Sequence, residues 1–146
     1  MKRINAFLLI VACLIWAAVG VQAGLDVSGH TYTTLAASTS ATNGVTTTTA
    51  VDVAALKGIG KIVVFDSGDI SGTSTQSVVV VQTSTTGTSS WSNVTAPTFG
   101  DATTNATIES ENVDTDTLSK YIRLQMTIGG TNAVQHYFGG QIITHR

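Results

Sequence analysis

From residue 24 to residue 146, no segment repeats apolar residues at helical spacing for more than about two turns, whereas short apolar runs recur throughout, each closed by glycine or a polar cluster. A chain without amphipathic helices must build its layers from strands. The clearest run is SKYIRLQMTIGG, residues 119 to 130, which sets Ile122, Leu124, Met126 and Ile128 on one side and Tyr121, Arg123, Gln125 and Thr127 on the other. Such a ribbon covers a core with one face and meets water with the other.

The other runs are HTYTTLAA (30 to 37), VTTTTAVDV (45 to 53), KIVVFDSG (61 to 68), QSVVVVQTS (76 to 84), SWSNVT (90 to 95), NATIESENV (105 to 113) and AVQHYFGGQIITH (133 to 145). VDVAALKG, 51 to 58, is the weak helical candidate, but its β-branched start reads as a strand ending near Leu56. Seven or eight strands separated by Gly, Asn, Asp and Ser clusters predict an all-β fold. The expected form is an antiparallel β-sandwich, immunoglobulin-like or jelly-roll-like. SVVVV at 77 to 81 is apolar on both faces, so it is expected deeper in the fold or under a neighbouring element. Gly139 and Gly140 fall inside the last strand, where missing side chains predict a bulge or a close approach.

Residues 1 to 23 start with Lys2 and Arg3, run apolar from Ala6 to Val21 and end Val21-Gln22-Ala23, the layout of a secretory signal peptide cleaved after Ala23. An uncleaved apolar anchor, or a lipoprotein acylated on Cys13, is the alternative. Cleavage leaves residues 24 to 146 as a single β-sandwich domain, exported and without cysteine, so packing and not disulfides must hold it. Its charge is minus four, five Lys and Arg against nine Asp and Glu, once the two basic leader residues are set aside. A weakly acidic chain lacks the basic field that nucleic acid requires, and a membrane would be met only through an uncleaved leader.

The chain holds 25 Thr and 13 Ser with one proline, Pro97, which argues against a mucin-like stalk and for pleated surfaces whose hydroxyls face water. Asn93 and Asn105 open glycosylation-type triplets of the kind a Thr-rich chain produces by chance.

No catalytic, cofactor or metal constellation is expected. Glu109, Glu111, Asp114 and Asp116 are the most site-like cluster, and NVDTDT resembles the start of a calcium loop. Thr117 nevertheless occupies that loop's glycine position and Arg123 its closing carboxylate position. His30, His136 and His145 have no metal-ligand spacing, and His136 reads as a strand residue at an edge or interface. Gly58-Ile59-Gly60 precedes no helix and reads as a turn, and no Gly-x-Ser-x-Gly elbow is present. Trp91, after a polar hairpin, is either a lid on the core or a stacking platform for sugar; ring burial separates the two.

Three stretches resemble the small β-sandwich structural proteins of tailed-phage particles, of the head-decoration type. They are GIGKIVVFDSGDISG, VVVVQTSTTGTSSWSNV and SKYIRLQMTIGGTNAVQHYFGGQII, within residues 45 to 143. Thr85 and Thr86 stand where that family's hairpin carries acids. The resemblance implies a non-enzymatic virion subunit that forms homo-oligomers or docks on a larger protein lattice such as a capsid. The expected contacts lie on strand edges and on the C-terminal hairpin, with Tyr137 and Phe138. The rival expectation is a secreted or cell-surface binding module, an adhesin or carbohydrate-binding sandwich, in which Trp91 with Tyr32 or Tyr137 stacks on sugar.

Overall fold

A computed structural model describes residues 29–100, 105–130 and 134–145. The leader expected over residues 1–23 lies outside them. Among the described residues the chain forms β1 (His30–Thr42), β2 (Gly44–Thr47), β3 (Val51–Asp52), β4 (Ile59–Asp66), β5 (Gln76–Ser84), β6 (Ser92–Thr98), β7 (Thr107–Asp114), β8 (Tyr121–Gly129) and β9 (Gln135–His145). A single 3₁₀ turn, Thr115–Thr117, separates β7 from β8.

The strands make two antiparallel sheets. One has the order β1-β9-β4-β7; the other has the order β2-β8-β5-β6, with β3 also on β8. Nearly every connection passes from one sheet to the other, and only β5 to β6 stays within a sheet, apart from the β2 to β3 step along β8. This is jelly-roll order, one of the two expected sandwich forms. Nine strands stand where seven or eight are expected because the run from 45 to 53 is interrupted. At the break Thr48 keeps to β8, its N–H donating to the Leu124 carbonyl at 2.9 Å and its hydroxyl accepting from the Leu124 N–H at 3.0 Å. The strand expected to end near Leu56 ends at Asp52 instead. There the Asp52 carboxylate accepts the Ala54 N–H at 3.0 Å and starts a turn.

Burial alternates at every residue of β8, as its sequence predicts. Its inner residues Ile122, Leu124, Met126 and Ile128 meet Val79 and Val81 of β5 and, from the facing sheet, Ile62, Val64, Phe138 and Ile142. Each such side chain contributes about 1.5–3 kcal/mol when fully buried. Phe138 is 0% exposed and therefore belongs to the core, which corrects its expected place on a contact surface. Strand parity explains the change: its neighbour Tyr137 takes the outward direction. SVVVV lies in a strand flanked by β8 and β6, with Val79 and Val81 buried and Val78 and Val80 half-buried on the outer face.

The expected close approach at the paired glycines is present. A Cβ on Gly140 would lie 2.8 Å from the Val63 carbonyl oxygen and 3.0 Å from Leu124 Cδ1 of the facing sheet. On Gly139 it would meet the Ala36 carbonyl oxygen at 3.0 Å. Opposite the pair, β1 shifts register between Thr34 and Ala36 and again between Ala36 and Thr39.

Candidate functional site

Residues directly opposite each other in an antiparallel ladder share a face. The register therefore assigns Tyr121 with Ser84, Arg123 with Gln82 and Asn93, and Gln125 with Val80 to the outer face of the second sheet. Gln82 is the hub of this face, although it is only 7% exposed. Its side-chain amide donates to Asn93 Oδ1 at 3.0 Å and lies 3.3 Å from Gln125 Oε1, while its carbonyl oxygen accepts from Arg123 Nε at 2.8 Å. The Arg123 guanidinium carbon sits 4.2 Å from the centroid of the Trp91 ring, a stacked cation–π pair. Desolvation lowers the Arg123 pKa from its ordinary value, and the group stays charged at any physiological pH. Beside this pair, Lys120 Nζ lies 5.0 Å from the Tyr121 centroid and 3.6 Å from Asp52.

Hydroxyls build the loop that carries Trp91. The Ser84 hydroxyl donates to the Ser89 carbonyl and accepts from the N–H groups of Thr86 and Gly87, both at 3.2 Å. The Thr86 hydroxyl in turn accepts from Ser89 N–H at 3.2 Å. Gly87 has φ +76°, and a Cβ there would lie 2.9 Å from Tyr121 Cγ, so glycine lets the loop settle on the tyrosine ring. Ser90, directly before Trp91, takes φ 55°, a left-handed conformation uncommon outside glycine. Trp91 is half-buried. It is neither a core lid nor a free ring: it is partly covered, with the Arg123 guanidinium stacked on it.

The sequence reading missed a second polar cluster, which lies inside the fold. His136 is 0% exposed, which corrects its expected place at an edge. Nδ1 lies 2.9 Å from Asp66 Oδ1 and Nε2 lies 2.7 Å from Asp69 Oδ1. Asp66 also accepts the Ser77 hydroxyl at 2.6 Å and the Gly68 N–H at 3.0 Å. Burial raises the Asp69 pKa, but hydrogen bonds from the Ser74 backbone and hydroxyl and from His136 outweigh it and hold the carboxyl below its ordinary value. The Ser77 hydroxyl donates to the Asp66 carboxylate, whereas a nucleophilic triad needs the hydroxyl to donate to the imidazole. The two carboxylates lie on opposite sides of the ring and do not converge on a common point where a cation could sit.

Three of the four acids of the calcium-like stretch are spent on separate backbone N–H groups, and Glu111 stands exposed on β7. Glu109 accepts the Gly100 N–H at 2.8 Å, Asp114 caps the 3₁₀ turn through Asp116 N–H at 3.0 Å, and Asp116 accepts Gly58 N–H at 3.2 Å. Among the described residues no group of three or more acids, histidines or cysteines could hold a metal ion. His30 and His145 are brought together at the β1–β9 end, their ring centroids 4.6 Å apart, and His30 lies 6.5 Å from the Tyr32 ring. Tyr137 is exposed on β9 of the first sheet, where its hydroxyl accepts from Gln135 at 3.2 Å. Tyr32 and Tyr137 thus belong to a different sheet from Trp91. The aromatic partner on Trp91's own face is Tyr121.

No family model matches the chain, and no curated protein matches it. Among solved structures it is similar to the Clostridium thermocellum endo-1,4-beta-D-xylanase 10B CBM22-1-GH10 modules complexed with xylohexaose, at 19% identity and TM-score 0.40. That alignment covers 62% of this chain and 17% of the other. It is also similar to a structure described as "CBM4 structure and function", at 14% identity and TM-score 0.48, over 89% of this chain and 83% of that one.

Proposed function

We propose that this protein is an exported, non-catalytic β-sandwich binding module that takes a saccharide on the outer face of the β2-β8-β5-β6 sheet. One observation carries the reading. Trp91 is held half-buried against Arg123, beside a row of hydrogen-bonded amides, Gln82, Asn93 and Gln125. Saccharide rings offer an apolar face edged by hydroxyls, and this surface offers an aromatic plane next to the Asn93 and Gln125 side chains that Gln82 holds in place. The three strands set the row about 10 Å across at the usual strand spacing. Binding of soluble oligosaccharides, followed by calorimetry, tests the reading. Wild-type protein binds at least one polysaccharide class, and Trp91→Ala abolishes that binding while the far-ultraviolet β spectrum is unchanged. A Trp91→Ala protein with undiminished affinity overturns it.

A second reading, a subunit docked on a protein lattice such as a virus particle, is favoured by a different surface. Ile108, 76% exposed, and Ile59, 66% exposed, share the outer face of the first sheet with the half-buried Val63 and Phe65. Apolar residues grouped on one sheet face suit a protein partner. Sedimentation of the wild type beside Ile108→Lys tests it: a wild-type assembly that the charge dissolves supports docking, and a monomer in both cases counts against it.

A further inference from the structure

Arg123 is the cation on the Trp91 face that has no acid. Lys57 pairs with Asp116 at 3.8 Å and Lys120 with Asp52 at 3.6 Å, both at exposed positions. Arg123 is half-buried and partly desolvated, yet no carboxylate of the described residues lies within ion-pair distance of it. Its Nε is spent on Gln82 and its π face on Trp91. The four N–H groups of Nη1 and Nη2 have no acceptor among the described residues. A charge fixed on two sides and left open on the third is oriented before any ligand arrives, and the open edge has the fork shape that receives a planar carboxylate through two parallel hydrogen bonds.

We infer that the saccharide taken on this face carries a carboxylate on its ring, as a hexuronate does, with Arg123 gripping that carboxylate and Trp91 supporting the sugar ring. The inference rests on the saccharide reading and names its ligand class. The acid on this face, Asp52, opposite Tyr121, is paired with Lys120 at 3.6 Å. Glu109, Glu111 and Asp114 lie on β7 of the other sheet and Asp116 in the turn after it, and salt screens charges more than about 8 Å apart at physiological ionic strength.

Calorimetry of the full chain decides it. The probes are oligogalacturonate and oligoalginate tetramers, each beside its carboxyl-reduced neutral form, and a sulfated galactan. The wild type binds at least one acidic tetramer roughly ten- to a hundredfold more tightly than its reduced form, the range of a charge-assisted hydrogen-bond pair. Arg123→Gln removes that difference, so that the acidic and reduced forms bind alike, and an unchanged far-ultraviolet β spectrum shows that the variant folds. Arg123→Lys, with the charge but not the fork, keeps only part of it. Equal binding of acidic and reduced forms, an acid preference that survives Arg123→Gln, or equal affinity for the sulfated galactan overturns the inference. Where neutral sugars bind with no acid preference, the inference falls and the saccharide reading stands; where no saccharide binds, both fall.

Discussion

Asp69 reaches back from the turn after β4 to place a carboxylate oxygen 2.7 Å from Nε2 of His136, a residue 67 positions later in the chain. The other ring nitrogen already faces Asp66. Each ring nitrogen therefore has its own carboxyl partner, and the imidazole bridges the two. The resulting row ties the end of β4 and the segment from 67 to 75 to β9, and the Ile70 N–H bond to the Gln135 carbonyl at 2.8 Å runs alongside it.

Removing the ring leaves two enclosed carboxyl groups facing one another without the hydrogen-bond partner they share. His136→Leu, close in volume and without polar atoms, is expected to cost about 3–5 kcal/mol of folding stability, the loss typical of breaking a buried pair from one side. Urea unfolding measures it. Adding Asp66→Asn and Asp69→Asn to His136→Leu recovers part of the loss, because the stranded carboxyl groups are gone. A His136→Leu protein as stable as the wild type would show that the row does not hold the fold.

Acid weakens the same row in a defined window. The Asp69 carboxyl is held below its ordinary value of 3.8 in the folded protein. Its stabilising contribution is therefore complete above that value and is lost as pH falls through the lower folded one. The stability difference between wild type and Asp69→Asn should be constant from neutral pH to about 5 and shrink below about 4. Urea midpoints from pH 7 to pH 2.5 follow it; a difference that grows on acidification contradicts the assignment.

The sheets and their core were largely readable from the residues, because period-two alternation is a local property. β8 shows it at every position, and the glycines of β9 predict the close approach that Val63 and Leu124 supply. The interruption at Thr48 was not readable, since a threonine run looks the same whether backbone or hydroxyl completes the ladder. Nor was the His136 row. Its partners lie 70 and 67 residues away, in a segment whose Gly, Ser and Asp content signals only a turn. The Trp91 face was half readable: the tryptophan stands out in a chain with few aromatics. Its partners Arg123 and Gln82 come from β8 and β5, and only strand register brings them to it. Phe138 was misplaced by its position beside Tyr137, where one step along a strand reverses the face.

Gly140 tests how closely the two sheets meet. Its backbone lies between the Val63 carbonyl and Leu124 Cδ1, and the carbonyl belongs to a ladder that cannot move aside. Gly140→Ala should cost about 1–3 kcal/mol, as overpacking of a filled core does. The effect should soften when Leu124→Val is added, because the side-chain contact is relieved and the carbonyl contact is not. Thermal unfolding of the two variants measures both steps.

Gln82 separates the framework of the Trp91 face from its ligand contacts. Its carbonyl oxygen holds Arg123 Nε and its amide holds Asn93 and Gln125, so one nearly isosteric change, Gln82→Met, releases all three at once. These partners lie at a half-exposed surface where water can replace the lost bonds, which limits the stability cost to about 1 kcal/mol. The guanidinium loses its fixed orientation over the indole. Trp91 fluorescence should therefore shift, and saccharide affinity should fall about tenfold even though Gln82 is itself too enclosed to touch much of a ligand. Adding Arg123→Gln to Gln82→Met should then cost much less affinity than Arg123→Gln costs alone, since a mobile guanidinium has already lost most of its value. Additive losses would mean that Gln82 acts on the ligand directly and does not position Arg123.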